Sequence, residues 1–236
     1  PHWSPDMNAT AVALTDILHA LEHLTDKQRA ALSDNERALL RVALRAFARD
    51  GYAATSARQV ALDAGLTAPM VNYYFGSKQG LYRAVGELVF DALVADVLDA
   101  TERGPDFEAR LRAYIGAHAR FFERSPVSGE FVSMALYGPV AGQRILDPYA
   151  LHEPAGDRLR EIFRDAVAAG ELHPTDELDV PYLVNHAFGI VRNAMLFRVR
   201  EHRRARATGG RADGVIDLGH RDLERDITLF LRAIGA

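Results

Sequence analysis

The chain contains no cysteine in 236 residues. Disulfides, thiolate nucleophiles and cysteine-ligated metal are thereby excluded, and a cytoplasmic setting is expected. Lysine is nearly missing as well: Lys27 and Lys78 stand alone among 28 basic residues, an arginine bias read here as a coding habit rather than a function. No apolar run approaches the ~20 residues a membrane span requires, and the start lacks the basic-then-apolar pattern of a signal peptide. A β-alternation of useful length is absent, so an all-α chain is expected. So are a glycine-rich phosphate loop, a G-x-S-x-G elbow and a compelling carboxylate pair. No catalytic residue, cofactor or metal site is expected, and the chain is not read as an enzyme. What remains is an ordinary globular composition, 48% apolar and 25% charged with a net charge of −4, enough to build a sizeable core.

The informative stretch runs from Ser56 to Lys78, SARQVALDAGLTAPMVNYYFGSK. Ser56 precedes Gln59 by the three residues of a capping box. Ala57, Val60, Ala61 and Ala64 then recur at helical spacing as a narrow stripe of small residues, and Gly65 supplies the stop. Thr67 is the expected cap of the next helix, with Pro69 in its first turn, where a missing N–H costs little. Val71 and Phe75 face inward there, while Ala68, Pro69, Asn72 and Tyr73 face out. Gly76 and Ser77 break that helix, and Ser77 caps the one that follows. Upstream, Asp34 or Asn35 is expected to cap a helix carrying Leu40, Ala43, Leu44 and Phe47 inward and stopping at Asp50-Gly51. Two short helices joined by a glycine-containing turn, the second with a polar face, are the pattern of a helix-turn-helix DNA reader. A generic three-helix unit explains the periodicity but not the short second helix, the polar third helix or Lys78 placed just after it.

Charge agrees. Between Asp34 and Arg83 seven basic residues face four acids, a balance of +3 on a chain whose total is −4. Such a module turns one end of an acidic molecule towards phosphate.

The segment FARDGYAATSARQVALDAGLTAPMVNYYFGSKQGLY resembles the N-terminal DNA-binding domain of TetR-family transcriptional regulators, over roughly Glu36 to Val89. The likeness rests on Phe47 with Gly51-Tyr52, Thr55, Ala64-Gly65, the Tyr73-Tyr74-Phe75 run, and Gly76-Ser77-Lys78 before Leu81. It implies a homodimer on double-stranded operator DNA, with a larger helical domain that dimerises and holds a small-molecule effector. It further implies that Thr55 and Ser56 meet the DNA backbone, that Arg58 reaches a phosphate or base, and that Thr67, Tyr73 and Lys78 anchor to phosphates. Ala68, Pro69, Met70 and Asn72 then occupy the groove-facing part. Asn72 departs from the family pattern, in which an aromatic is usual. Two readings stay open for it: paired hydrogen bonds selecting adenine, which we expect, or a contact with phosphate or water.

Three domains are expected: 1–33, an extension with one amphipathic helix; 34–80, the helix-turn-helix domain; and 81–236, a helical domain for effector and dimerisation. The extension carries a leucine stripe over residues 10–32, best covered by packing. Its His19, Glu22 and His23 spell H-x-x-E-H, but they lie opposite that stripe with no third ligand, so a solvated face accounts for them better than a metal site. Beyond the helix starting near Ser77, a helix follows with Phe107, Leu111, Tyr114, Ile115, His118 and Phe122 on one face. Residues 128–146 read as a helix interrupted at Gly138-Pro139, 147–156 as a loop, and 157–169 as a helix. A long helix over about 176–204 and a last one over about 213–234 carry broad apolar faces. These two are the expected dimer interface, as a four-helix bundle built from two pairs.

For the effector, polar groups set into apolar faces suggest Tyr114, His118, Phe122, Met134, Tyr137, His186 and Arg192. The alternative for His118 is a hydrogen-bonded core histidine. The expected activity is ligand-responsive repression at a near-palindromic operator, relieved by a small apolar or aromatic molecule. The alternative is a helical adaptor or small-molecule-binding protein without sequence-specific DNA binding.

Overall fold

The structure is a computed structural model, and it describes residues 32–139, 142, 145–176, 178–208 and 216–235. The N-terminal helix expected over 10–32, with its H-x-x-E-H triplet, lies outside the described residues. Among those that are described, regular structure is entirely helical. In chain order the helices are α1 (Asp34–Ala54), α2 (Ala57–Asp63), α3 (Pro69–Phe75), α4 (Lys78–Thr101), α5 (Phe107–Arg124), α6 (Pro126–Tyr137), α7 (Pro148–Ala169), α8 (Val180–Thr208) and α9 (Ile216–Ala233). None is long and apolar enough to cross a membrane.

Two compact units emerge. The first holds the described residues up to Ala92 together with Arg124–Leu151; the second holds Leu93–Glu123 and the described residues from His152 onward. The first unit therefore reaches past the 34–80 segment, taking in the start of α4 and the whole of α6.

In the first unit, α1 is capped by Ser33 rather than by Asp34 or Asn35. Ser33 Oγ accepts from the Glu36 amide, and the Glu36 carboxylate takes the Ser33 N–H at 2.8 Å, a complete capping box. Asp34 is thereby left free to pair with Arg37 at 3.0 Å. Leu39, Leu40, Ala43, Leu44 and Phe47 are buried along one face of α1, as their spacing requires. Helical geometry breaks at Gly51, with φ 75° and ψ 173°. α6 packs along α1, and Tyr82 ties the two together, its ring 4.9 Å from Phe47 and 5.5 Å from Phe131. Arg83 adds a polar clasp, its Nε donating to the Ile145 carbonyl at 3.0 Å.

The second unit is closed by α5, α7, α8 and α9. Leu111, Ile115, Ile162, Phe163, Leu183 and Ile227 are among its buried side chains. Arg112 on α5 reaches Glu224 at 2.7 Å and the Thr228 hydroxyl at 3.2 Å on α9. Arg198 on α8 grips Glu123 with two guanidinium nitrogens, at 2.8 and 3.1 Å. Arg158 on α7 donates to both the carbonyl and the hydroxyl of the buried Thr101.

Two boundaries differ from the sequence reading. α6 ends at Tyr137, with Gly138 extended at its C-cap, instead of running on to 146. The segment 147–156, expected as loop, is the start of α7, which continues through Pro154. Asp147 Oδ1 accepts from the amides of Tyr149 and Ala150, and Pro148 falls at the first helical position, where no donor is wanted.

Candidate nucleic-acid interface and ligand site

The α2–α3 pair is built as a helix-turn-helix. Ser56 Oγ accepts from the Gln59 amide at 3.3 Å and starts α2. Val60 and Ala61 are buried, and the helix ends in a full Schellman turn: Leu66 N–H bonds the Ala61 carbonyl at 2.9 Å and Gly65 N–H the Leu62 carbonyl at 3.0 Å. Gly65 takes the left-handed conformation that turn demands, φ 74°. In α3 Val71 is buried, Phe75 half-buried, and Pro69, Asn72 and Tyr73 exposed, Tyr73 at 77%. The Thr67 carbonyl receives the Met70 amide at 3.0 Å, opening the helix. Gly76 ends it, and Ser77 Oγ accepts from Gly80 N–H at 3.1 Å at the head of α4.

Four contacts fix the reading surface. Asn35 donates to the Tyr74 hydroxyl at 3.1 Å, tying the start of α1 to α3. Lys78 Nζ sits 4.4 Å from the centre of the Tyr52 ring and donates to the Ala53 carbonyl at 3.3 Å. Burial holds its pKa below the usual lysine value. Tyr73 and Tyr74 meet edge to face, 4.9 Å apart.

Of the residues singled out from sequence, Ser56, Arg58, Thr67, Pro69, Asn72 and Tyr73 are exposed, and Ala68, Met70 and Lys78 are half-buried. Thr55 is buried at 4% exposure, and its hydroxyl donates to the Gly51 carbonyl at 2.8 Å. It caps α1.

The effector candidates part company. Tyr114 and His118, one turn apart on α5, are buried together, with ring centroids 4.8 Å apart. The structure adds two rings that the sequence reading missed: His152 on α7, whose Nε2 lies 3.0 Å from His118 Nε2, and Phe188 on α8, 6.4 Å from both the Tyr114 and His152 rings. Phe122 is buried against Phe121. Met134 and Tyr137 belong to the first unit, where a Cβ at Gly51 would stand 3.7 Å from Met134 Sδ. His186 and Arg192 are exposed on α8, His186 stacked on Phe230 at 5.9 Å with the rings 8° from parallel.

The histidine pair is neutral. Desolvation pulls His118 down to about 3, helped by His152 beside it, and pulls His152 down to about 4. Tautomers follow from the partners. His118 Nδ1 lies 2.9 Å from the Tyr114 carbonyl, which only accepts, so that nitrogen carries the proton. His118 Nε2 is then bare and accepts from His152 Nε2–H. The Tyr114 hydroxyl, fully buried, has no hydrogen-bond partner.

Residues 39–85 match the family of bacterial regulatory proteins described as the tetR family. The chain carries a TetR-family DNA-binding domain there. It is 27% identical to the HTH-type transcriptional regulator RutR of Escherichia coli over 68% of this chain and 74% of that one. The fold is shared with PfmR, a TetR-family regulator of Thermus thermophilus, at TM-score 0.60 and 20% identity over 83% of this chain and 97% of that one. It is shared too with the transcriptional regulator FadR of Bacillus subtilis in complex with stearoyl-CoA, at TM-score 0.62 and 14% identity over 80% and 96%. The matched domain and the relative in sequence are those of helix-turn-helix transcription regulators.

Proposed function

We propose that this TetR-family regulator is a ligand-responsive repressor that binds a near-palindromic operator as a homodimer and lets go when a small molecule binds its larger helical domain. The observation that carries the DNA reading is the exposed face of α3. Pro69, Asn72 and Tyr73 are exposed on a short helix that starts at Ala68 without a side-chain cap and closes on Gly76 N–H to the Asn72 carbonyl, with Arg58 exposed on α2. Thr67 and Lys78 flank the base-reading positions as phosphate contacts, while Ala68 and Met70 line the groove. Ser56 adds a backbone contact, with Thr55 beneath it.

The dimer is supported by apolar surface on the last two helices. Tyr182, Leu196 and Phe197 on α8 and Leu229 on α9 are between 39% and 53% exposed, and helices of such breadth pair readily into a four-helix bundle. Effector binding falls to the Tyr114–His118 cluster of the second unit, with Phe122, His186 and Arg192 of the same unit as further candidates. That the FadR of Bacillus subtilis holds an acyl-CoA in the same fold supports a helical domain of this kind as a ligand carrier.

The test is a gel shift on promoter DNA from the neighbouring genes at two salt concentrations. One discrete complex on an inverted repeat, weakening steeply with salt, is expected; the log-log slope is roughly −0.9 per phosphate neutralised. No complex at low salt would instead favour a helical adaptor.

A further inference from the structure

Lysine is rare in this chain, and one of its two lysines opens α4 just after α3. What holds Lys78 there is a seat built by the end of α1. Gly51 turns the chain through a left-handed conformation, φ 75°, and the Thr55 hydroxyl closes the turn by donating to the Gly51 carbonyl. Between them stand Tyr52 and Ala53. The Lys78 ammonium lies 4.4 Å from the centre of the Tyr52 ring and donates to the Ala53 carbonyl at 3.3 Å. The ring itself is braced. It stacks on Phe47 at 6.3 Å and meets Tyr82 edge to face at 5.2 Å, and both of those side chains are buried. A Cβ on Gly142 would stand 2.8 Å from the Tyr82 hydroxyl and 3.6 Å from the Tyr52 Cβ, so only bare glycine backbone fits beside the pair.

The seat carries no charge of its own. Asp50, the acid next to this turn in sequence, is bound by two nitrogens of Arg49, at 2.7 and 2.8 Å. Among the described residues no carboxylate pairs with Lys78. A carboxylate would fix the lysine equally well but would neutralise it. A ring face and a neutral carbonyl fix it and leave its charge whole, with two of its three N–H donors still to place. Resting on the DNA reading above, we infer that Tyr52 is a positioning residue for operator binding, its ring holding the Lys78 ammonium ready for a DNA phosphate. The long lysine stem otherwise samples many rotamers, and fixing it beforehand removes that ordering cost from binding. Because a phosphate is met, the gain is the same on every sequence.

The experiment reads Lys78 in the whole chain, first without DNA and then with it. Two lysines give two sets of side-chain signals in proton NMR of selectively labelled chain, and Lys78→Met leaves only the Lys27 set. Without DNA, the Lys78 Hε signal is expected upfield of free lysine, shifted by the current of the Tyr52 ring. Tyr52→Phe should keep that shift and Tyr52→Leu should abolish it. On DNA, Tyr52→Phe should bind as the wild type does. Tyr52→Leu should weaken operator and scrambled duplexes by the same factor, about fivefold to thirtyfold, one cation–π contact being lost at each of two half-sites. In a Lys78→Met background the same substitution should weaken binding no further. An unshifted Lys78 signal in the wild type would overturn the inference, even if Tyr52→Leu failed to fold. So would a Tyr52→Leu loss of equal size with and without Lys78, since the ring would then serve packing alone. A wild-type chain that binds no duplex at low salt would sink the repressor reading and this role with it. Duplex binding in which the two substitutions simply add would sink this role alone.

Discussion

His118 and His152 share one hydrogen bond and can keep it only while at least one of the two facing nitrogens is bare. Both imidazoles are depressed by burial from the ordinary 6.5. The unfolded chain therefore binds protons that the folded chain refuses. Stability is fully present above about pH 6.5 and is lost as pH falls from there toward the folded values, by about 1.4 kcal/mol per pH unit for each imidazole. Denaturant melts between pH 7 and pH 5 should show this slope, and His152→Gln should remove about half of it. An unchanged slope in that variant would place the acid sensitivity elsewhere. Two glycines make a second contrast at this scale. Gly65 sits at φ 74° with open space around a would-be Cβ, so Gly65→Ala should cost only the left-handed penalty, about 1–2 kcal/mol. Gly80 is different: a Cβ there would stand 1.9 Å from the Phe75 carbonyl oxygen, which is backbone and has nowhere to go. Gly80→Ala should displace α3 from α4, so that operator affinity falls further in it than in Gly65→Ala. Equal losses in thermal melts and fluorescence anisotropy would contradict the difference.

At the scale of elements, the helix-turn-helix was legible because its signals are local. Ser56, Gly65, Gly76 and Ser77 each act within one turn of their own position, and Val60, Ala61 and Val71 mark the buried side by spacing alone. α7 was misjudged for the opposite reason. The segment 147–156 read as loop, yet Pro148 sits at a position that wants no donor, and the helix runs on through Pro154. That error hid His152, and with it half of the ring cluster, because His118 and His152 meet only across 34 positions of chain. α8 carries apolar side chains on more than one face: Leu183, Ala187 and Val191 are buried in its unit, while Tyr182, Leu196 and Phe197 are exposed in the single chain. Within α3, Asn72 gives the sharpest element-scale prediction. If its amide reads an adenine, Asn72→Ala should cost about 1–3 kcal/mol on the operator and nearly nothing once that base pair is exchanged. Equal weakening on both sequences, measured by anisotropy, would assign Asn72 to the phosphate backbone.

For the whole molecule, the proposed repression depends on two copies acting together. A single α3 offers few phosphate contacts, and joining two copies raises avidity by about two orders of magnitude or more without any new kind of contact. Phe197→Glu combined with Leu229→Glu places charge on the exposed apolar face of α8 and α9. The doubly substituted chain should sediment as a single subunit and lose operator binding by about a hundredfold or more, while keeping its helical content. A substituted chain that still pairs would move the interface elsewhere.

The most direct measurement is selection of duplexes from a random DNA library by the purified chain, with the bound fraction sequenced. An inverted repeat should be enriched, with half-site centres about 10–10.5 base pairs or a multiple apart, and the enrichment should collapse in the Arg58→Ala, Asn72→Ala double variant. A bound fraction with no common sequence, or one that the double variant enriches equally well, would contradict the account.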